Sequence, residues 1–199
     1  MGVHPLNILR PLTGGSKAET KPQTRKLARA TQPTGKEIFF GEDEIIVSKT
    51  DLTGRITYAN DVFMRIAGFS EDEPLGAPHS ILRHPDMPRA VFKLLWVTIE
   101  AKKEIFAYVK NMARNGDHYW VFAHATPSLD DAGNIIGYHS NRRVPDPAQV
   151  AAVEPIYKQL LEIEASHADR KAGLDASFGA VLALLQEKGM DYDEFVFSI

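Results

Sequence analysis

The sequence contains no cysteine, which excludes disulfides, thiolate metal ligands and cysteine nucleophiles. It also lacks any run of about 18 apolar residues, the length that a transmembrane helix requires. The first ten residues hold no continuous apolar stretch of the kind found in secretion signals. The composition, with 44% hydrophobic and 25% charged residues in 199, is that of a soluble globular protein. These features predict a cytoplasmic protein with no membrane span.

Motifs of catalysis are missing as well. The chain has no P-loop, no dinucleotide-binding fingerprint and no recognisable pairing of a nucleophile with a base. His79, His84 and Asp86 lie close in sequence, but their spacing matches no common set of metal ligands. We therefore expect a binding protein rather than an enzyme, and no metal centre.

The charge is unevenly distributed along the chain. Residues 1–36 carry seven basic residues and one acidic residue, so this segment has a net charge of +6 and the rest of the chain −9. A basic arm can contact nucleic acid or anionic lipid, whereas low hydrophobicity with high net charge is also typical of a solvated, disordered leader. We predict a disordered arm over 1–36, order beginning near Glu37, and no nucleic-acid partner.

Five segments have the β-branched content or the alternation of strands. The five segments are 44–50, 55–59, 105–110, 118–125 and 135–142. The turn at Asp51–Gly54 joins the first two as a hairpin, because Gly54 permits backbone conformations that other residues avoid. Asn115-Gly116 is a strong hairpin signal between the third and the fourth.

Short helices are predicted between the second and third strands. One begins at Asn60-Asp61 and is stopped by Gly68. Residues 70–73 form a capping-box pattern that opens another helical turn. A longer helix is predicted to follow Asp86, with Asp86 as its N-cap and Pro88 in its first turn, and to run to about Lys102.

The apolar spacing changes to a helical period of about 3.6 residues beyond Pro147. Two amphipathic helices are predicted between residues 146 and 189, and their apolar faces must be buried against each other, the sheet or another chain. The tail, 191–199, is either a docking segment or a last turn packed on these helices. The element order predicts an α+β fold, a five-stranded antiparallel sheet with short helices on one face, followed by a C-terminal helical hairpin.

The stretch from Arg83 to Pro88 is the most informative part of the chain. It places a cation, an imidazole and a carboxylate between two prolines, a stiff polar corner that we interpret as a ligand-binding site. Together with residues 58–61 and 110–120, it resembles the flavin-binding PAS domains of the bacterial aerotaxis receptor type. The resemblance covers about residues 37–144 and implies a PAS fold that holds FAD non-covalently as a redox sensor.

The resemblance divides the chain into a basic arm (1–36), a PAS sensor domain (37–145) and a helical hairpin with its tail (146–199). Two features depart from the receptor type. The chain has no transmembrane anchor and no room for a long helical signalling domain, so the output is expected to differ. The hairpin is the candidate for contact with a signalling partner or with a second copy of the chain.

Seven residues are candidates for contact with FAD: Arg83, His84, Asp86, Trp96, Asn60, Asn111 and Trp120. The guanidinium of Arg83 suits a pyrophosphate. His84 could stack on a flavin, donate a hydrogen bond to it, or instead ligate a haem iron. Asp86 is also expected to cap the following helix and in this way to position Arg83 and His84.

The other four candidates each have a structural alternative. The amides of Asn60 and Asn111 suit the pyrimidine edge of a flavin, although Asn60 is equally a helix N-cap. Trp96 lines the pocket or belongs to the core. Strand alternation places Trp120 on the same face as His118, a face predicted to contact the pocket, where Trp120 is either pocket wall or sheet–helix core.

The sequence therefore leaves three hypotheses. The first is a redox or energy sensor, with aerotaxis as a candidate role, that holds FAD and shifts between two conformers when the flavin is reduced. The second is a cofactor-free PAS module for dimerisation or as an adaptor. The third is a haem-based gas sensor.

Overall fold

The computed structural model describes residues 32–70 and 73–199, and a single five-stranded antiparallel sheet lies at its centre, in the order β2-β1-β5-β4-β3. The strands are β1 (Ile46–Thr50), β2 (Ile56–Ala59), β3 (Ile105–Met112), β4 (His118–Leu129) and β5 (Ile135–Arg143). This agrees with the predicted α+β fold. The one clear difference in the strands is that β4 continues beyond the predicted residue 125 to Leu129.

Three helical elements follow β2 and cover one face of the sheet: α1 (Asp61–Ala67), a short 3₁₀ helix (His79–Leu82) and α2 (Arg89–Glu100). Asn60 begins α1 as predicted, because its side-chain oxygen accepts a hydrogen bond from the N–H of Phe63 at 3.0 Å. The same oxygen accepts from the N–H of Val47, also at 3.0 Å, which ties the start of α1 to β1. Gly68 ends the helix in the left-handed conformation.

The start of α2 corrects the sequence prediction for Asp86. The N-cap position is Pro88, whose side chain offers no hydrogen bond to the helix, and the first helical residue is Arg89. The reason is that a proline disfavours helical geometry in the residue before it, so Met87 cannot open a helix capped by Asp86. The Asp86 carboxylate instead accepts a hydrogen bond from Lys110 Nζ at 3.0 Å.

The C-terminal region contains α3 (Pro147–Ala165), α4 (Arg170–Lys188) and the short α5 (Tyr192–Phe197). The first two form the predicted hairpin. The tail is the packed alternative rather than a free segment, because Phe195 and Val196 in α5 are buried. The hydrophobic core continues from the sheet into these helices, and the Tyr157 hydroxyl donates a hydrogen bond to the carbonyl of Tyr108 in β3 at 2.7 Å.

The described residues before Glu37 already contact the sheet. The chain at Thr34 is already bound to the turn before β4, since its hydroxyl donates to Asp117 Oδ1 at 2.6 Å and its N–H donates to the Gly116 carbonyl. The carbonyl of Lys36 then accepts from the N–H of His118. The prediction for residues 1–31 lies outside the described residues, as does part of the capping box at 70–73.

We predict opposite effects for two glycine substitutions in α4. A Cβ at Gly173 would lie 2.6 Å from the carbonyl oxygen of Glu164 in α3, so Gly173→Ala should force the hairpin apart and lower the free energy of unfolding by about 1–3 kcal/mol. A Cβ at Gly179 meets no atom within 4 Å. Because alanine favours a helix more than glycine does, Gly179→Ala should raise the free energy of unfolding by about 0.5–1 kcal/mol. Urea denaturation followed by circular dichroism compares the two; a stabilising Gly173→Ala would contradict the close approach.

Candidate ligand-binding site

A cavity of about 380 Å³ lies between the sheet and the helices that cover it. Its size falls in the range of small-molecule sites, roughly 300–1,000 Å³. The sheet supplies Ser48, Thr50, Val109, Asn111, Ala123, Ala125, Tyr138, His139, Ser140 and Arg142. The helical side and the β1–β2 turn supply Thr53, Gly54, Pro78, His79, Ser80, Leu82, Arg83, Phe92, Leu95, Trp96 and Ile99. Eleven of these 21 residues are apolar or aromatic and ten are polar, so the cavity offers both apolar surface and hydrogen-bonding groups.

Asn111 is the polar group best placed for a ligand among the predicted residues. It lies on β3, lines the cavity and is only 4% exposed. Its side-chain amide has no hydrogen-bond partner in residues 32–70 and 73–199, although a buried amide ordinarily has one. The amide therefore offers both a donor and an acceptor to whatever occupies the cavity.

Arg83 and Trp96 also line the cavity, as the sequence predicted. Arg83 forms a backbone bridge with Asn111, so the corner that precedes α2 lies directly beside β3. Its guanidinium lies over the ring of Phe92 at 3.9 Å. Trp96 meets Tyr138 edge to face at 5.3 Å, and the turn glycine Gly54 lies so close that a Cβ there would be 3.0 Å from the indole.

His84 and Asp86 point away from the cavity. His84 is 3% exposed, and its Nδ1 accepts a hydrogen bond from the N–H of Asp86 at 3.1 Å, which leaves the proton of the neutral ring on Nε2. The ring meets His118 at 5.6 Å, on the sheet face opposite the cavity. Burial lowers the pKa of His84 to about 4, so the ring is neutral at pH 7. The structure brings neither residue to the cavity lining.

Asn60 and Trp120 have structural roles rather than places in the cavity lining: Asn60 is a helix N-cap and Trp120 belongs to the core. Every hydrogen bond of the Asn60 side chain is to the backbone, including its donation to the Ile45 carbonyl at 2.8 Å. Trp120 does share a face with His118, but that face is opposite the cavity, contrary to the prediction. There the indole stacks on Tyr157 of α3, with ring centres 6.3 Å apart, and belongs to the sheet–helix core.

Three cavity residues were missed as ligand contacts by sequence reasoning: Arg142, His79 and Ser48. The Arg142 guanidinium donates from Nη2 to Ser48 Oγ and to His79 Nε2, both at 2.6 Å. Since arginine only donates, His79 Nε2 is the acceptor and the neutral ring carries its proton on Nδ1. The available signal was alternation along β5, which places Arg142 on the same face as Tyr138 and Ser140.

The cavity wall is electropositive. Its lining contains two arginines, Arg83 and Arg142, and no carboxylate from the described chain. Burial and the nearby Arg142 charge lower the pKa of His79 to about 3, and burial also lowers the pKa of His139, so both rings are neutral at pH 7. Arg142 remains charged even though burial lowers its pKa to about 10.

We expect the stability of the protein to fall as the pH is lowered from 7 to 5. The pKa values of His79 and His84 lie below the roughly 6.5 of an unfolded histidine, so the unfolded state takes up protons first and unfolding becomes easier. With partial solvent access, each histidine should contribute about 1 kcal/mol over this range. Urea denaturation at several pH values measures the slope. His84→Asn, which keeps an acceptor for the Asp86 N–H, should flatten it, and the exposed His167→Asn should not; an equal slope in all three proteins would contradict the assignment.

The other side of α2 is held by the C-terminal hairpin. Glu164 of α3 is 8% exposed, and its Oε1 accepts from the N–H of Ala90 in the first turn of α2 at 3.1 Å. Its Oε2 accepts from Arg89 Nε at 2.7 Å. Glu164 thus supplies the cap that α2 lacks. Further along α2, Lys93 Nζ pairs with Asp175 of α4 at 2.7 Å.

The described residues contain neither a membrane-spanning helix nor a group of metal ligands. Within 32–70 and 73–199, no helix combines the length and the apolar character needed to cross a membrane. In the same ranges, no three His, Asp or Glu side chains converge into a group that could hold a metal ion.

Known proteins with similar sequences have the same fold as the sheet and helices around the cavity. Residues 56–142, from β2 to β5, match the family model of the PAS fold. The chain is 44% identical over 121 residues to the aerotaxis receptor of Escherichia coli (strain K12), covering 61% of this chain and 24% of that protein. It is 30% identical over 99 residues to the nitrogen fixation regulatory protein of Klebsiella pneumoniae, covering 50% of this chain and 20% of that one. It therefore spans a quarter or less of either relative.

Solved structures show the same fold. A light-oxygen-voltage domain studied with a flavin analogue superposes with a TM-score of 0.52 at 17% identity, covering 58% of this chain and 88% of that one. The blue-light photoreceptor Aureochrome1 LOV in its dark state gives a TM-score of 0.50 at 24% identity, covering 59% and 86%. The resemblance inferred from the sequence is confirmed: residues 56–142 have the PAS fold, and the chain is similar over 121 residues to the aerotaxis receptor.

Proposed function

We propose that this protein is a cytoplasmic redox sensor that binds FAD non-covalently in the PAS cavity and signals by a conformational change, without catalysis. The observation that carries the proposal is Asn111, a residue only 4% exposed, whose amide faces the cavity without a hydrogen-bond partner among the described residues. Amide donors and acceptors suit the pyrimidine edge of a flavin. The similarity to the aerotaxis receptor supports a redox or oxygen-related stimulus and aerotaxis as the response.

The lining residues fit the parts of FAD. Phe92 and Trp96 provide aromatic surface for the flat ring system, and Ala123 leaves room for it beside the sheet. Asn111 would hydrogen-bond the ring, and Arg83 would pair with the pyrophosphate. FAD itself supplies the redox chemistry when bound, while the protein orients it and sets its environment.

His84, Asp86, Asn60 and Trp120 would act on FAD only by holding the walls of the site. His84 accepts from the N–H of Asp86, which fixes the turn between Arg83 and α2. Asp86 pairs with Lys110, the neighbour of Asn111 on β3. We assign these residues to positioning, whereas the sequence placed them in contact with the cofactor.

The signal would leave through α2. One side of this helix lines the cavity through Phe92, Leu95 and Trp96, and the other side is capped and paired by the hairpin through Glu164 and Asp175. A shift of α2 between oxidised and reduced FAD would change these contacts. The hairpin would then present an altered surface to a signalling partner or to a second copy of the chain.

Release of the cofactor by heat, followed by chromatography against FAD and FMN standards, tests the binding proposal. We expect FAD. Hydrogen exchange of α2, α3 and α4 in the oxidised and the dithionite-reduced protein tests the signalling proposal, with faster exchange expected in one of the two states. Identical exchange in both states would contradict transmission through α2.

The two alternatives are distinguished by the same preparation. A haem sensor would show a Soret band, but His84, the ligand considered from the sequence, lies outside the cavity. A cofactor-free module would yield a colourless, stable protein that takes up no flavin, with a tight dimer as its product in sedimentation.

A further inference from the structure

Arg142 is a buried cation without a counter-ion among residues 32–70 and 73–199. Its side chain lies in the cavity wall and the residue is 3% exposed. Its two hydrogen-bond acceptors, Ser48 and His79, are both neutral, and no carboxylate of the described residues forms an ion pair with it. A second nitrogen of the guanidinium, Nη1, is buried without a hydrogen-bond partner.

Such an arrangement is costly in a folded protein. Transferring a charge from water into the interior costs several kcal/mol unless a group of opposite charge offsets it. Among the described residues, the rest of the lining contains no carboxylate to offset the charge, and its one other charged residue is a second cation, Arg83. The missing negative charge is therefore expected to come with the ligand.

We propose that Arg142 is the residue that recognises an anion in the cavity. Because of its charge, the protein binds reduced, anionic FAD more tightly than oxidised FAD. The inference rests on the proposed function. Two-electron reduction with uptake of one proton converts the ring into an anion (FAD + 2 e⁻ + H⁺ → FADH⁻). A fixed positive charge beside the ring stabilises that anion selectively, which raises the midpoint potential.

The test is a dithionite titration of the full chain loaded with FAD, with a reference dye to read the midpoint potential. Arg142→Met should weaken the preference for reduced FAD at least about tenfold, which is a fall of about 30 mV for a two-electron couple. Arg142→Gln, which keeps donors for Ser48 and His79 but has no charge, should show the same fall. Arg142→Lys, which keeps the charge, should stay within about threefold of the wild type, or about 15 mV.

Arg143→Met is the matched control, because Arg143 is the next residue on β5 and is exposed. Its midpoint potential should equal that of the wild type. If Arg142→Met fails to fold, Arg142→Gln decides alone. A flavin-loaded Arg142→Gln with unchanged potential, or a fall of the same size in Arg143→Met, would overturn the inference and leave FAD binding intact. A wild-type chain that takes up no flavin would overturn the proposed function and this inference together.

Discussion

Glu164→Ala should lower the free energy of unfolding by about 2–3 kcal/mol. The substitution removes the acceptor for the Ala90 N–H at the start of α2 and leaves Arg89, whose side chain is 19% exposed, without its carboxylate. Loss of a helix cap costs about 1 kcal/mol, and loss of one partner of a buried ion pair costs several more when solvent cannot reach the other. Urea denaturation measures the total.

The location of the damage is as informative as its size. Amide exchange in α2 should accelerate in Glu164→Ala, because the cap acts on the first turn of that helix. Glu162→Ala, two positions earlier on the exposed side of α3, is the control and should change stability by less than about 0.5 kcal/mol. If Glu162→Ala lowered the free energy of unfolding as much as Glu164→Ala, α3 would be sensitive to any substitution. That result would contradict the specific role of Glu164 as the cap of α2.

Ala123→Leu should weaken FAD binding by about 5–150-fold. Ala123 lies on β4 in the cavity lining and is 5% exposed, so the longer side chain would occupy the volume proposed for the flavin ring. Forcing extra carbon atoms into a filled site costs about 1–3 kcal/mol, which corresponds to that loss of affinity. The flavin-free protein should keep its stability, because the added atoms enter a cavity rather than a packed core.

Thr126→Leu provides the comparison. Thr126 is on the same strand but is not part of the cavity lining, so affinity for FAD should remain within about twofold of the wild type. Quenching of flavin fluorescence on titration with protein measures both variants. Unchanged binding by Ala123→Leu would place the flavin outside this cavity.

Local patterns were enough for the sheet, and three of the predicted residues line the cavity, while their contact with a ligand stays a prediction. Alternation and turn residues predicted all five strands, although the third continues past the predicted residue 110 and so includes Asn111. Arg83 and Trp96 were predicted as site residues and do line the cavity. Their neighbours in sequence carry enough information, because strand period, turns and helix starts are set by a few adjacent residues.

Contacts between distant residues could not be predicted in this way. The cap of α2 comes from Glu164, more than seventy positions along the chain. Asp86 looked like that cap, since the local signal for an N-cap does not include the restriction that Pro88 imposes on Met87. Trp120 was assigned to a cavity-facing side because alternation tells which residues share a face but not which face the ligand meets.

Arg142 shows the same limit in electrostatic terms. Its strand position could be read from the sequence, but the absence of a described carboxylate beside it depends on four strands and two helical elements meeting at one cavity. A buried charge becomes unusual only when all of its neighbours are known. For this reason the sequence did not identify Arg142, the residue that we propose to discriminate between the redox states of FAD.

The absorption spectrum of the purified full chain, recorded before and after dithionite, tests the central claim most directly. Bound FAD predicts a yellow protein whose visible flavin bands disappear on reduction and return in air, with a spectrum shifted from that of free FAD. A colourless protein that remains so after incubation with excess FAD and removal of the unbound cofactor, or one with a Soret band, would contradict the account.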